Sequence, residues 1–182
     1  VRALLSTNPV IAAGLYAFLM CAATVVAPIA LLPTVPLVAP ILGPVVTGFS
    51  CWIGWTVGAV IAFLIARHGG RPFLLRVIDL ASLERFESRL PHTVHGALIV
   101  ALRLALPVDV LSYALGLFSN VGLFTYTIAS ALGIFWFSFA FAYLGYAYSE
   151  DRAVLFLLFS VVSAIIFVSA LVYIRQATRL KD

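Results

Sequence analysis

The sequence predicts an all-α integral membrane protein. Four transmembrane helices accompany two facing re-entrant hairpins in an inverted repeat, with an amphipathic helix on the cytoplasmic side. Three observations carry that expectation. The 182 residues are 64% hydrophobic and 10% charged, with a mean hydropathy of +1.15, whereas a soluble domain is roughly half apolar and about a quarter charged. Four apolar stretches approach or exceed the roughly 20 residues that cross a hydrocarbon core. Two more are equally oily but are interrupted by proline, glycine or charge.

The first span is 9–27, with Pro9 in the first helical turn and Pro28 as a stop. Its approach, "VRALLSTNPVIAAGLYAFLMCAATVVAP", has the early arginine and apolar run of a signal peptide. It lacks a strong small-residue cleavage site and reads as a retained helix. Residues 29–46, "IALLPTVPLVAPILGPVV", contain Pro33, Pro36, Pro40, Gly43 and Pro44, and so many missing backbone donors argue against a continuous helix. The second span, 48–66, ends at Arg67. Residues 96–118 are broken by Pro107 and Gly116 and carry Arg103 and Asp109. Spans 122–147 and 153–174 follow, joined by the polar corner "SEDR".

Both interrupted stretches are too apolar for water, and broken backbone at membrane depth is tolerated only where protein or a water-filled cavity covers it. They are therefore expected to be re-entrant hairpins that meet at the centre of one membrane domain, 1–182. The prolines Pro33, Pro36, Pro40 and Pro107, with Gly43 and Gly116, are the expected hairpin-breaking residues. Placing both termini in the cytoplasm puts nine of the eleven basic residues inside, with Arg152 outside and Arg103 in the second hairpin. That is the bias of the positive-inside rule. The net charge of +4 reads as charge that orients the chain in its membrane, since no basic stretch tracks a nucleic-acid backbone.

In the polar loop 67–95, "DLASLERFESRLPH" sets Leu80, Leu83, Phe86 and Leu90 at helical spacing. This suits a short amphipathic helix on the cytoplasmic leaflet, or a docking face for a soluble partner. His68, His92 and His95 have no nearby cysteine or carboxylate cluster and are read as interfacial rather than metal-binding. Cys21 and Cys51 lie in apolar segments and are read as packing residues.

The two interrupted units echo each other. "LP" at 32–33, "LG" at 42–43, Gly48 and Gly58 match "LP" at 106–107, "LG" at 115–116, Gly122 and Gly133. Proline to last glycine is 25 residues in one and 26 in the other. The repeats are 28–67 and 96–147, with 9–27 and 153–174 as flanking spans. Broken segments meeting between inverted repeats are the layout of many transporters.

The runs "LPTVPL", "LGPVVTGFSCWIGWTVGAVIAFLIARHGGR", "RLALPVDVLSYALGL", "ASALG" and "YLG", in that order, resemble the DedA superfamily, also called VTT-domain or SNARE-associated Golgi proteins. The nearest likeness is to the branch whose second half carries P-x-D-(apolar)₂-S-Y-x-x-G. The resemblance covers roughly 28–147. It implies two facing re-entrant hairpins and a role in lipid scrambling, recycling of polyprenyl-phosphate carriers or proton-dependent transport. The first hairpin lacks the acidic residues of the proton-coupled bacterial relatives, and the second lacks their second arginine. These departures argue against a proton-driven antiporter and leave passive lipid movement open.

Arg103 and Asp109 then admit two compatible readings. They neutralise one another to lock the hairpin, or Arg103 anchors a phosphate or carboxylate through its planar fork with Asp109 as counter-ion or proton carrier. Ser112, Tyr113 and Thr34 are the expected polar neighbours in a substrate-binding site. No hydrolase, nucleotide, redox or metal signature is present, so neither an enzyme nor a cofactor is expected. The expected function is movement of lipid or lipid-linked phosphate between leaflets, as in a scramblase or flippase. The alternatives are a proton- or ion-linked small-solute transporter and a non-transporting membrane scaffold. Expected partners are membrane lipids, anionic or polyprenyl-phosphate, with no nucleic acid. The expected location is a prokaryotic plasma membrane.

Overall fold

The structure, a computed structural model, describes residues 8–26, 31–74, 95–105 and 110–179. These form seven α-helices and no strand: α1 Pro9–Val26, α2 Val35–Leu42, α3 Pro44–Leu74, α4 Gly96–Ala105, α5 Val110–Phe118, α6 Leu123–Ser149 and α7 Ala153–Arg179. Four are long and apolar enough to cross a membrane, over Pro9–Val26, Pro44–Gly69, Leu123–Ser149 and Ala153–Ala177. These lie close to the expected spans. The expected amphipathic helix in 67–95, together with Pro107 and Asp109, lies outside the described residues.

The proline-rich stretch is more helical than its composition suggests. A 3-10 turn, Leu32–Thr34, leads into α2, which has Pro36 in its first turn and Pro40 in its interior. A first-turn proline gives up only a donor that has no helical partner anyway. Pro40 removes one further bond, whose acceptor would be the carbonyl of Pro36. These two prolines therefore do not interrupt their helix, contrary to expectation. The break falls at Gly43, with φ 83° and ψ 150°, a backbone region essentially closed to residues with a Cβ. The second glycine expected to break a hairpin, Gly116, lies inside α5 and packs on the Phe63 carbonyl of α3.

The helix directions bring a second correction. The spans 9–27 and 48–66 are expected to cross in opposite senses. Instead Gly54 of α3 packs on the backbone of Ala17, and Gly58 packs on Cys21 and Thr24. Residue numbers rise together, so α1 and α3 run side by side in one direction. The chain between them returns to the end at which α1 began, and Thr34 on that return meets Tyr16, midway along α1. Gly96 of α4 lies beside Thr125 and Ala129, while Arg103 and Val100 lie against Gly133, so α4 and α6 are also parallel.

Helices α3 and α6 form the central antiparallel pair. Phe49 meets Phe139, Trp52 Nε1 donates to the Ala131 carbonyl, and Phe63 meets Tyr126. Among the described helices, α2 packs chiefly on α6, the long helix of the other half, and α5 packs chiefly on α3. One buried cluster gathers Tyr16, Met20, Val35, Cys51, Trp55 and Ile134 at one end. A second joins Phe63, Ile99, Leu111, Leu115 and Tyr126. Helix α7 packs on α4 and α6 and leaves Val154, Leu157, Val161, Ile165 and Val168 exposed, as suits a face turned to acyl chains.

Candidate functional site

Helix α4 is apolar except for Arg103 in its last turn, and Arg103 is the largest fully buried side chain described, at 1% exposure. The burial depends on Gly133, because a Cβ there would collide with the Cβ of Arg103. Helix α6 therefore lies directly on the arginine stem, and the guanidinium is carried into the space between α5 and α6.

There Nη2 donates to Ser112 Oγ at 2.6 Å and to Tyr126 Oη at 2.7 Å. The Tyr126 hydroxyl passes its own proton to the Ala59 carbonyl of α3 at 3.1 Å. The Tyr126 ring stacks on Phe63, with centroids 4.0 Å apart and planes 15° apart. The guanidinium carbon of Arg67 sits 4.4 Å from the Phe63 centroid. A column thus runs from Arg67 through two rings to Arg103. At its outer end Arg67 donates to the carbonyls of Gly116, Ser119 and Val121, at 3.4, 2.5 and 2.5 Å. These are carbonyls at the end of α5 and just beyond it, which no helical N–H reaches, and the positive charge suits that end of a helix dipole.

Two donor nitrogens of Arg103, Nε and Nη1, are buried without a hydrogen-bond partner among the described residues. No carboxylate pairs with it there. A buried charge with open donors costs free energy unless something compensates it, and those two groups can take any acceptor oxygen, neutral or charged. Among the described residues no three His, Cys, Asp or Glu side chains come together as metal ligands. Cys21 and Cys51 are not joined in a disulfide.

Of the residues singled out by sequence, the structure brings Ser112 to Arg103. Tyr113, its neighbour on α5, turns elsewhere, packing on Ala62 and Ala66 and donating to the Val25 carbonyl of α1 at 2.5 Å. Thr34 donates to the Leu31 carbonyl at 2.6 Å and meets Tyr16 Oη at 3.2 Å. Both tie the short helices to α1. Pro33 is exposed in the turn before α2, and Pro36 packs against Gly145 of α6.

Sequence reading missed Tyr126, Phe63 and the role of Arg67. The signals were present. Tyr126 and Gly133 are seven apart, on one face of α6, and Phe63 and Arg67 are four apart on α3. A buried tyrosine in an apolar helix also needs a partner for its hydroxyl.

The VTT-domain family model matches residues 10–147, spanning α1 through most of α6. The chain belongs to the VTT-domain family. This is the domain of the DedA and SNARE-associated proteins, and the match takes in α1 and both halves around the α3–α6 pair. It identifies an integral membrane protein of a family often proposed to contain transporters or flippases. No curated protein and no solved structure matches the chain.

Proposed function

We propose that this VTT-domain protein moves a lipid or a lipid-linked phosphate between leaflets, with Arg103 as the phosphate anchor. The observation that carries the reading is the Arg103 guanidinium, 1% exposed, with Nε and Nη1 unfilled among the described residues. Arginine at membrane depth costs several kcal/mol or more and persists where it meets a counter-charge or a passing ion. Ser112 and Tyr126 orient it, and Asp109 serves as its counter-ion when no substrate is bound.

In this reading α4 and α5 form a re-entrant hairpin, entered beside the start of α6 and left at the Arg67 end of α3. The first half repeats the plan upside down, with α1 as its outgoing leg and α2 as its return. Keeping the Arg67 end and the end of α7 cytoplasmic places eight basic residues inside and leaves Arg2 and Arg152 outside. The positive-inside bias survives. The Pro9 end of α1 then lies outside, not in the cytoplasm as first expected.

The test is reconstitution. Purified protein in liposomes should equilibrate a fluorescent anionic phospholipid between leaflets without added energy, while a soluble anion stays trapped. Lipid that fails to move in proteoliposomes that do take up soluble anion would refute the reading.

A further inference from the structure

The bonds made by Nη2 decide how firmly Arg103 can hold an anion. A guanidinium grips a phosphate or carboxylate best through two parallel N–H groups. It has two such pairs, Nε with Nη2 and Nη1 with Nη2, and each needs one Nη2 hydrogen. Here Nη2 donates to both Ser112 and Tyr126, so neither fork is open. What is left is Nε–H on one edge and the Nη1 hydrogens on the other, too far apart to act as a pair.

We propose that Tyr126, together with Ser112, sets the affinity of the Arg103 site by keeping the bidentate fork closed, so that a phosphate oxyanion is held by single contacts and released quickly. The proposal rests on the reading of Arg103 as a phosphate anchor. It follows from the logic of any passage site, in which binding must be strong enough to admit the ion and weak enough to let it leave. Tyr126 is well placed to do this, because its ring is fixed on Phe63 and its own proton is committed to the Ala59 carbonyl. Its oxygen is left as an acceptor that, among the described residues, Arg103 fills.

The test compares Tyr126→Phe with wild type in phosphatidylcholine liposomes, using fluorescent phosphatidylglycerol as the probe at increasing mole fraction. Phenylalanine keeps the ring stack and frees one Nη2 hydrogen. The added charge-assisted contact should lower the half-saturating mole fraction about tenfold and slow the maximal rate by a similar factor. A residue that only braces Arg103 would give the opposite, with weaker half-saturation. Ser112→Ala frees the other hydrogen and should shift both quantities the same way, so the idea stays testable if one variant folds poorly. Half-saturation that is unchanged or weaker in both variants overturns the proposal. If Arg103→Gln leaves transfer untouched, the anchor reading itself is wrong. If transfer falls in Arg103→Gln but neither Nη2 variant tightens binding, only the fork argument fails. Inorganic phosphate distinguishes the sources of the oxyanion. Competition that strengthens in Tyr126→Phe supports a site open to free phosphate, and tighter lipid saturation without competition supports one that takes the headgroup alone.

Discussion

The ring of Tyr126 lies flat on that of Phe63, with centroids 4.0 Å and planes 15° apart. This contact joins the two central helices, α3 and α6, at the level of the buried arginine. It sets the tyrosine hydroxyl 2.7 Å from Arg103 Nη2. Packing and polar contacts here therefore have separable costs. Tyr126→Ala should destabilise the protein by about 3–5 kcal/mol, as for other buried aromatics, and Tyr126→Phe, which keeps the stack but loses the bond to the buried guanidinium, by about 1.5–3 kcal/mol. Denaturant titration in detergent measures both. Equal losses would mean that the stack contributes nothing.

Gly43 is the joint between α2 and α3, held at φ 83° and ψ 150°. No neighbour crowds it, so any penalty for Gly43→Ala is conformational. It should lie on the order of 1–3 kcal/mol, measured by the same unfolding. A neutral Gly43→Ala, or a Pro40→Ala that destabilises more, would move the joint back to the prolines.

The contrast between Gly43 and the prolines shows where sequence reading succeeds. The spans were legible because length and hydropathy answer directly to the bilayer, and the starts at Pro9 and near Gly122 carry local signals. Proline density misled, because a proline's effect depends on its position in the turn, and Pro36 falls where its N–H is not needed. The direction of α1 was illegible, since arginine counts barely change when Arg2 alone switches sides. Arg103 and Ser112 stood out as polar residues in apolar surroundings. Tyr126 did not, because an aromatic residue among fourteen Phe, seven Tyr and three Trp looks like packing until the fold brings it to Arg103.

Arg67 fastens the end of α5 through three carbonyls. Each hydrogen bond to a charged group contributes about 1.5–3 kcal/mol when buried, and interfacial water replaces part of that. Arg67→Gln should therefore lose roughly 2–3 kcal/mol and speed amide exchange in 115–122 ahead of α6. Arg67→Lys should recover only part, since one ammonium cannot serve three separated carbonyls. Uniform exchange throughout the bundle would contradict a local clamp.

The parallel course of α1 and α3 fixes relative sidedness. Single cysteines at Asn8 and Ser149, in a protein with Cys21 and Cys51 replaced by alanine, should react with an impermeant maleimide from the same, outer side. A cysteine at Ser88 should react only from the cytoplasm. Labelling of Asn8 and Ser149 from opposite sides would contradict the packing of Gly54 on Ala17.

The most direct test of the central claim is the rate at which reconstituted protein moves fluorescent phosphatidylglycerol when Arg103 alone is changed. Arg103→Gln removes the charge and should lower the rate at least tenfold in protein that remains monodisperse. Arg103→Lys should restore part of it, because the charge returns while the bonds to Ser112 and Tyr126 are not both remade. A folded Arg103→Gln protein that moves the lipid at the wild-type rate would show that the buried arginine serves the fold and not the passage of phosphate.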